Sequence, residues 1–348
     1  MPVDRTLLKL LICPRHGVPL SEAGASLSCE AGHGYPVIND VPVLLEHGPQ
    51  TLWVAESSLD HAERRAAVPI EDPYYLGTLG ISEEETAQLK ERLRTAAGNS
   101  IDPIASFLVG ATNGIAYQHL IGQLQEYPIP ELRLPPGNGQ LLLDIGCNWG
   151  RWSVAAARLG YLPIGLDPSL GAVLAAKRIA AQLGVDARFV VGDARYLPFR
   201  KGCMDVVFSY SVIQHFSRAD ATRAIKEVGR VLASSGRSLI QMPTTVGIRC
   251  MWHQARRGFR EGRNFEVRYW SLPTLRRMFA EHVGRTTFSV DCFFGIGLQA
   301  SDLQWMPASH RMAIGASEVL RKLSRVLPPL RYIADSVYVE STKAVPAQ

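Results

Sequence analysis

The sequence predicts an α/β protein whose main domain is a doubly wound, mostly parallel sheet of seven strands. From Gln140 onward, short continuous apolar runs alternate with stretches of helical periodicity, which is the rhythm of βαβ units. Four successive runs end in glycine or polar residues, and ligands bind outside the carboxyl ends of such strands. A small cysteine-containing β unit and a helical connector precede this domain.

The elements of the main domain follow in order from residue 141. The run Leu-Leu-Leu-Asp-Ile-Gly at 141–146 is continuous, as a strand covered on both faces requires. Strands are predicted at 141–146, 161–167, 188–194, 204–211, 237–243, 287–295 and 335–343. Helices are predicted at 149–159, 170–183, 218–233 and 271–282.

Three zones differ in composition and predict the domain organisation. Residues 1–48 are punctuated by glycine and proline, and they form the small β unit. Residues 49–138 form the helical connector. Residues 139–345 form the main domain, with a helical insertion at about 296–334.

The connector contains two predicted helices and a proline-rich exit. Ser82 followed by Glu85 is a capping-box pattern, which predicts a helix that runs to about Thr95. A second helix is predicted over 103–126. Residues 127–139 hold four prolines and two glycines, which indicates a linker or an ordered entry loop.

Composition excludes several classes of protein. The 348 residues are 47% hydrophobic and 20% charged, which excludes a disordered chain. Thirty-seven basic against 32 acidic side chains give a net charge of +5, too small by itself to indicate a nucleic-acid binder. No apolar run approaches the roughly 18 residues of a membrane span, and no signal peptide is expected. Six cysteines do not make a disulfide scaffold, so we expect a soluble, cytoplasmic protein.

The turn after the first strand favours a cationic ligand. Its pattern is D-x-G-x-x-x-G, with Asp144, Gly146 and Gly150. Glycine lets a backbone approach a ligand closely. A dinucleotide would prefer G-x-G-x-x-G and no acid where its pyrophosphate sits. S-adenosylmethionine carries a sulfonium and an ammonium instead, and it fits an acidic turn.

The next two strand ends suit an adenosine. Asp167 ends the second strand, where a carboxylate can accept hydrogen bonds from both ribose hydroxyls. Asp193 ends the third strand and can accept from the adenine amino group, while the backbone N–H of Ala194 can donate to a ring nitrogen.

With these residues in place, the segment from about 140 to 243 resembles the class I S-adenosylmethionine-dependent methyltransferases, in particular the type 11 group with its Rossmann-like sheet. The stretch GRVLASSGRSLIQMP at 229–243 is similar to the family's helix-loop-strand, although Ser235-Gly236 replaces its usual Pro-Gly-Gly. The resemblance implies that the last strand is antiparallel. The predicted cofactor-binding residues are Asp144, Gly146, Cys147, Asn148, Gly150, Asp167, Pro168, Asp193, Ala194 and Ser209.

The fourth strand end supplies the candidates for catalysis. His215 follows this strand on the side where an acceptor enters, and Tyr210 flanks it. We predict both as catalytic residues, with His215 as general base or orienting group. The alternative for His215 is a packing or capping role at a helix start.

Two later segments bear on the acceptor. Residues 244–270 hold six arginines against two glutamates, with aromatic residues between them, which suits an anionic or planar acceptor or a solvated basic loop. The insertion has an apolar stripe beside basic residues, which suits a lid, a dimer surface, a membrane-surface helix or packing on its own body. The stripe residues are Ile314, Val319, Leu320, Leu323, Val326 and Leu327.

The N-terminal zone has the spacing of a structural zinc site. Cys13, His16, Cys29 and His33 lie in two turn-like knuckles, and two Cys with two His can close a tetrahedral site. The zone resembles the short zinc-ribbon family that activates methyltransferases in trans, and the ribbon of bacterial rRNA guanine methyltransferases. His16 stands where those families have Cys. The alternative is a degenerate ribbon that has lost its metal and packs on the main domain.

These patterns together predict an S-adenosylmethionine-dependent methyltransferase with one structural zinc. Its expected partner is a small-molecule, lipid-linked or carrier-linked acceptor that is anionic, without integral membrane association. The first alternative is an RNA methyltransferase, which the ribbon and the arginine-rich segment favour. The second is a non-catalytic scaffold that keeps the fold.

Overall fold

The computed structural model describes residues 3–48, 52–65, 72–95, 101–112, 115–295 and 297–343. The chain divides into two compact units, Met1–Cys203 and Met204–Gln348, and each is described by itself. The division falls inside the predicted main domain, directly before its fourth predicted strand. The prediction of an α/β protein with a mostly parallel core is confirmed within this description.

The first unit opens with a small antiparallel β unit. After a short helix α1 (Arg5–Leu8) come β1 (Leu20–Ala23), β2 (Ser26–Cys29), β3 (Gly34–Ile38) and β4 (Val41–Leu44), each paired antiparallel with the next. β4 also pairs parallel with strand β7 (Arg188–Gly192) of the α/β core, placing Val43 opposite Val191. Both of these valines are fully buried. The small β unit of β1–β4, called the ribbon below, therefore continues the core sheet and does not form a separate lobe.

In the part of the connector that the structure describes, the α-helices are α2 (Trp53–Arg65), α3 (Glu83–Thr95) and α4 (Pro103–Thr112). The capping box that opens α3 is confirmed: Ser82 N–H donates to Glu85 Oε2 at 2.8 Å, and Glu85 N–H donates to Ser82 Oγ at 3.2 Å. The helix predicted over 103–126 is wrong in length. α4 ends at Thr112 and a 3₁₀ turn covers Ile115–Leu120. In the sequence, Asn-Gly at 113–114 is a turn-forming pair that disfavours a continuous helix there.

Residues 127–139 form an ordered entry loop. The N–H of Gly137 donates to Leu159 O at 2.8 Å, and the N–H of Gly139 donates to Gly160 O at 2.9 Å. The hydroxyl of Tyr161 donates to Pro135 O at 2.8 Å. These three bonds hold the loop against residues 159–161, so it is not a free linker.

The core of the first unit is a parallel βαβαβ arrangement. It consists of β5 (Leu141–Ile145), α5 (Arg151–Arg158), β6 (Leu162–Asp167), α6 (Leu170–Gln182) and β7. The strand order is β4-β7-β6-β5, all parallel, with Asp144 opposite Gly165 and Asp167 opposite Val191. This register brings the carboxyl ends of β5, β6 and β7 to one edge of the sheet.

Ribbon, connector and core share one hydrophobic cluster. Val41 and Val43 of the ribbon, Leu59 of α2 and Val173 of α6 all belong to it, and each is nearly or fully buried. Connector side chains also cap α6, since the hydroxyls of Ser58 and Thr78 accept from backbone N–H groups of its first turn at 3.0 and 2.8 Å. The connector thereby fixes the helix that follows Asp167.

The second unit holds four strands in the order β8-β9-β11-β10. Its elements are β8 (Met204–Ser209), α7 (Arg218–Val231), β9 (Leu232–Pro243), α8 (Ile248–Arg256), α9 (Leu272–His282), β10 (Gly284–Cys292), α10 (Ala308–Leu323) and β11 (Ser336–Lys343). β8 and β9 are parallel, while β11 is antiparallel to both β9 and β10, as the resemblance implied. A bulge in β10 lies between Val290 and Cys292. No described helix is both long and apolar enough to cross a membrane.

Candidate functional site

The turn between β5 and α5 is tightly folded. Gly146, Asn148 and Gly150 all have positive φ angles, of 74°, 48° and 83°. A side chain at Gly150 would place its Cβ 2.9 Å from the Cβ of Ala176 in α6, so glycine is required there. The N–H groups of Gly146 and Cys147 donate to Leu166 O at 2.7 and 3.1 Å, which holds the turn against the end of β6.

Asp167 links this turn to the start of α6. Its Oδ2 accepts from Asn148 N–H at 3.0 Å, and its Oδ1 accepts from Ser169 N–H at 2.9 Å across Pro168. A carboxylate has about four accepting positions, so capacity remains for a ligand's hydroxyl groups. Burial raises the pKa of Asp167 to about 6, although these two bonds oppose the shift.

Asp144 is the most unusual group of the site. Its Oδ2 accepts from the Ser153 hydroxyl at 2.7 Å, but its buried Oδ1 has no hydrogen-bond partner among the residues that the structure describes. Burial raises the pKa of Asp144 to about 7, and the nearby charge of Asp167 adds to the shift. A bound cation would satisfy this oxygen and favour the ionised form. Asp144 and Asp167 therefore fit a positively charged ligand, as the sequence predicted.

The raised pKa of Asp144 predicts the pH dependence of stability without ligand. Its folded pKa lies above the ordinary value of 3.8, so the folded state binds more protons and stability falls as pH rises from about 4 to about 7. We expect Asp144→Asn to be close to the wild type in stability near pH 4 and to be more stable by about 4 kcal/mol near pH 8. Denaturant unfolding at both pH values measures this. The exposed Asp186→Asn is the control, and a less stable Asp144→Asn protein near pH 8 would contradict the assignment.

Asp193, predicted to accept from adenine, is paired within the protein. The guanidinium of Arg195 contacts both carboxylate oxygens, with Nη2 2.6 Å from Oδ2, and Arg195 N–H donates to Oδ1 at 2.8 Å. Both side chains are buried. Arg195 was missed from the sequence, although an arginine two residues after the acid was a visible signal. Ala194, between them, is also buried.

The second unit places Tyr210 against a buried carboxylate. The Tyr210 hydroxyl lies 3.1 Å from Oδ2 of Asp291, at the bulge of β10, and 3.3 Å from Gly297 O. The Ser336 hydroxyl donates to the same Asp291 oxygen at 2.7 Å. Ser209, predicted to contact the cofactor, is buried at the end of β8. Sequence reasoning missed Asp291 because it lies 81 residues from Tyr210 and carries no local motif.

A hydrogen bond and a stacked ring fix the position of the His215 imidazole. Its Nδ1 lies 2.6 Å from Phe265 O, and its ring stacks on the Phe265 ring at 4.2 Å. Burial lowers the pKa of His215, and the positive charge of Arg268 contributes in the same direction. Because Nδ1 donates to a carbonyl, Nε2 is the accepting nitrogen, and it lies 3.3 Å from Gln214 Nε2. The side chain therefore both packs the following loop and keeps a basic nitrogen.

Three of the four predicted metal ligands come together in the ribbon. Ligand atoms of Cys13, His16 and Cys29 all lie within 4.8 Å of one another, with His16 Nδ1 3.4 Å from each sulfur. The fourth, His33, does not join this group: its Nε2 lies 3.4 Å from a carboxylate oxygen of Glu46. Burial alone would raise the pKa of Cys29, but hydrogen bonds, first among them that of His16, lower it to about 7.

Part of the chain matches a family of small proteins. A UPF0434 protein of Vesicomyosocius okutanii is 46% identical over 44 residues, which are 12% of this chain and 75% of that protein. With three quarters of that protein covered, this stretch of the chain belongs to the UPF0434 family.

The α/β region matches methyltransferases. Residues 142–236 match the family described as methyltransferase domain. A ubiquinone biosynthesis O-methyltransferase of Azorhizobium caulinodans is 32% identical over 103 residues, 30% of this chain and 40% of that protein. The uncharacterized methyltransferase YcgJ of Bacillus subtilis is 35% identical over 100 residues, 28% and 39% of the two chains. The match thus spans about two fifths of these relatives. Together with the parallel sheet and the acidic, glycine-containing turn, these matches identify residues 142–236 as a methyltransferase domain of the class I, S-adenosylmethionine-dependent kind.

Proposed function

We propose that the protein transfers the methyl group of S-adenosylmethionine to a small-molecule, lipid-linked or carrier-linked acceptor. The observation that carries the proposal is the buried Oδ1 of Asp144, which lacks a hydrogen-bond partner among the described residues. It lies at the end of β5, within the influence of the Asp167 charge and next to the glycine-containing turn. A neutral ligand would leave the charge on this oxygen uncompensated, and the negative charge of a phosphate-bearing ligand would be repelled by it. A cationic ligand satisfies it.

Each group of the first unit has a role toward the cofactor. When bound, S-adenosylmethionine supplies a methyl group on a positively charged sulfur, a good leaving group. Asp144 and the turn through Gly146 and Gly150 face its methionine part, and Asp167 accepts from the ribose hydroxyls. Asp193 and Ala194 line the adenine end. Arg195 holds the Asp193 carboxylate in place, because it contacts both oxygens.

Two groups of the second unit are candidates to act on the acceptor. His215 keeps an accepting Nε2, so it can take the acceptor's proton, a role needed only where that proton is held tightly. Tyr210 can orient an acceptor through its hydroxyl, which Asp291 positions. Positioning and exclusion of water supply the remaining rate acceleration.

The arginine-rich segment supports a small acceptor over RNA, because several of its arginines stabilise the segment itself. Arg268 is buried and donates to the carbonyls of His215, Asn264 and Glu266. The side chain of Arg257 donates to Val267 O at 2.8 Å. Arg260 forms a two-pronged ion pair with the Glu266 carboxylate at 2.6 and 2.8 Å. These internal bonds use many of the donors of the three guanidinium groups, which leaves fewer for direct hydrogen bonds to the phosphates of RNA, while their positive charge remains.

We also propose that the UPF0434-like segment is the ribbon at residues 1–48 and that it holds one structural zinc. Cys13, His16 and Cys29 would be three ligands. His33, whose ring centre lies 5.7 Å from that of His16, would complete the set by leaving Glu46. A closed site of four protein ligands is structural and leaves no position for substrate.

Transfer of labelled methyl groups tests the proposal. The full-length protein is incubated with S-adenosylmethionine carrying a tritiated methyl group and an extract of the cells that make it, which is then separated into lipid, RNA and small-molecule fractions. We expect label in the lipid or small-molecule fraction, and a loss of at least about tenfold with His215→Gln or Tyr210→Phe. Label in RNA alone would establish the alternative of an RNA methyltransferase. No label in any fraction would favour a scaffold.

A further inference from the structure

Large apolar side chains are exposed in two segments of the second unit. The first segment, residues 246–265, exposes Val246, Ile248, Met251, Trp252, Phe259 and Phe265. The second segment, residues 312–333, exposes Met312, Val319, Leu323, Val326, Leu327, Tyr332 and Ile333. Among the described residues of the first unit, Trp53 and Tyr196 alone are large, apolar and exposed. Monomeric proteins rarely concentrate apolar surface in this way without a binding role.

The first segment begins against Asp335, two residues after the second segment ends. The carboxylate of this buried residue accepts from the N–H groups of Arg249 and Cys250 at 2.7 and 2.9 Å, and so caps the start of α8. Thr244 N–H donates to Asp335 O at 2.9 Å. The start of the first segment therefore lies beside the residues that directly follow the second, Ala334 and Asp335.

Helix α10 and the residues that follow it leave much of the predicted apolar stripe exposed. Ile314 and Ser317 face inward and are buried, and the Ser317 hydroxyl accepts from Phe293 N–H at 2.9 Å. Of the predicted stripe, Val319, Leu323, Val326 and Leu327 are exposed, with Val326 73% exposed. Packing on its own body, one role weighed from the sequence, thus holds for Ile314 and does not hold for these four residues. The inward face uses Ile314 and small polar residues instead.

The same two segments are strongly basic. Together they contain nine arginines and lysines against two glutamates, a surplus of seven positive charges, whereas the whole chain has a surplus of five. The remainder of the chain is thus slightly acidic. Trp252 lies between two of the arginines, with the Arg249 and Arg256 guanidinium carbons 5.6 and 4.7 Å from its ring centre.

We propose that residues 246–265 and 312–333 bind the surface of an anionic lipid bilayer. Mixed aliphatic and aromatic side chains surrounded by arginine and lysine are the composition of interfacial membrane-binding elements. The positive charges attract anionic headgroups, the apolar side chains insert at the acyl boundary, and Trp252 suits the headgroup level.

The composition favours a bilayer over two other occupants. RNA bases stack on aromatic rings, but exposed valine, isoleucine, leucine and methionine offer them no stacking face. A second copy of the same surface would bring seven excess positive charges against seven, which opposes pairing. The inference concerns binding and does not depend on the proposed methyl transfer. If both hold, a lipid-linked acceptor is the favoured class.

Vesicle co-sedimentation of the full-length protein, without cofactor, tests this inference. The probes are vesicles of phosphatidylcholine alone and of phosphatidylcholine mixed with phosphatidylglycerol. We expect binding to the anionic vesicles, weak binding to the neutral ones, and weaker binding as salt increases. Binding to neither kind at low salt would overturn the proposal.

Substitutions of exposed residues in the two segments provide a second test. Lys322→Glu with Arg325→Glu is expected to weaken anionic-vesicle binding by roughly 30-fold or more. Val326→Glu with Leu327→Glu should weaken it by at least about tenfold. The matched controls are Lys201→Glu and Trp53→Glu in the first unit, which should bind as the wild type does. Equal losses in the controls would contradict the assignment of this surface.

Two further outcomes would also overturn the proposal. One is tight binding of an RNA oligonucleotide that the Lys322→Glu, Arg325→Glu variant abolishes, without vesicle binding. The other is a dimer in sedimentation analysis that Val326→Glu with Leu327→Glu converts to monomer, again without vesicle binding. Either result would assign the surface to a different occupant.

Discussion

Asp167→Ala is expected to weaken binding of S-adenosylmethionine by roughly 10²–10⁴-fold. The substitution removes the acceptor proposed for both ribose hydroxyls, and hydrogen bonds to a charged group contribute about 1.5–3 kcal/mol each. It also removes the bonds from Asn148 N–H and Ser169 N–H, so the turn after β5 and the start of α6 lose their common anchor. Titration calorimetry measures the affinity.

Two further variants show whether the loss of affinity comes from the missing ribose contact or from the missing bonds to Asn148 and Ser169. Asp167→Asn keeps the shape and one accepting oxygen, so it should lose less affinity than Asp167→Ala. Asp186→Ala removes an exposed acid near β7 and should bind as the wild type does. Thermal unfolding of each variant shows whether the fold is intact. Unchanged affinity in a folded Asp167→Ala protein would overturn the assignment of the ribose site.

Cys13→Ser with Cys29→Ser is expected to release one zinc per chain and to destabilise the ribbon by about 3 kcal/mol or more. Both cysteines are buried beside His16, and a β unit of this size gains little from its own core. Because β4 pairs with β7, loosening the ribbon also exposes the edge of the strand that precedes Asp193. A smaller loss of cofactor affinity should follow.

Metal analysis of protein purified without chelators, together with thermal unfolding, measures both effects. Cys203→Ser, outside the cluster, is the control and should keep zinc and stability. Wild-type protein that contains no zinc would contradict the metal site. The ribbon would then be held by its own packing, which includes the contact of the Tyr35 hydroxyl with Cys13 Sγ at 3.1 Å.

The α/β core could be predicted closely from the sequence, because each of its strands and helices is indicated by residues that are neighbours in the chain. β5, β6 and α6 each lie within one residue of their predicted ends, since buried parallel strands are continuous apolar runs flanked by helical periodicity. The turn from Asp144 to Gly150 could also be predicted, because its residues are neighbours in the sequence. Its glycines are needed by a backbone conformation that only a few residue types adopt.

Features that depend on distant partners were missed. The carboxylate behind Tyr210 belongs to Asp291, on another strand, and a single aspartate in a strand gives no motif. The outward face of α10 was left open because periodicity shows that a helix has two faces but not which one is covered. Helix α8 was missed because the arginines and aromatic residues of 244–270 suggested a loop.

Titration calorimetry of the purified wild-type protein with S-adenosylmethionine tests the central claim most directly. S-adenosylhomocysteine and NAD are the comparisons. All three compounds contain adenosine, so a difference in affinity between them reports on the acidic turn that is proposed to face the methionine part. The account predicts binding of the first two compounds and none of NAD, whose pyrophosphate would face Asp144. Binding of NAD, or no binding of S-adenosylmethionine, would contradict it.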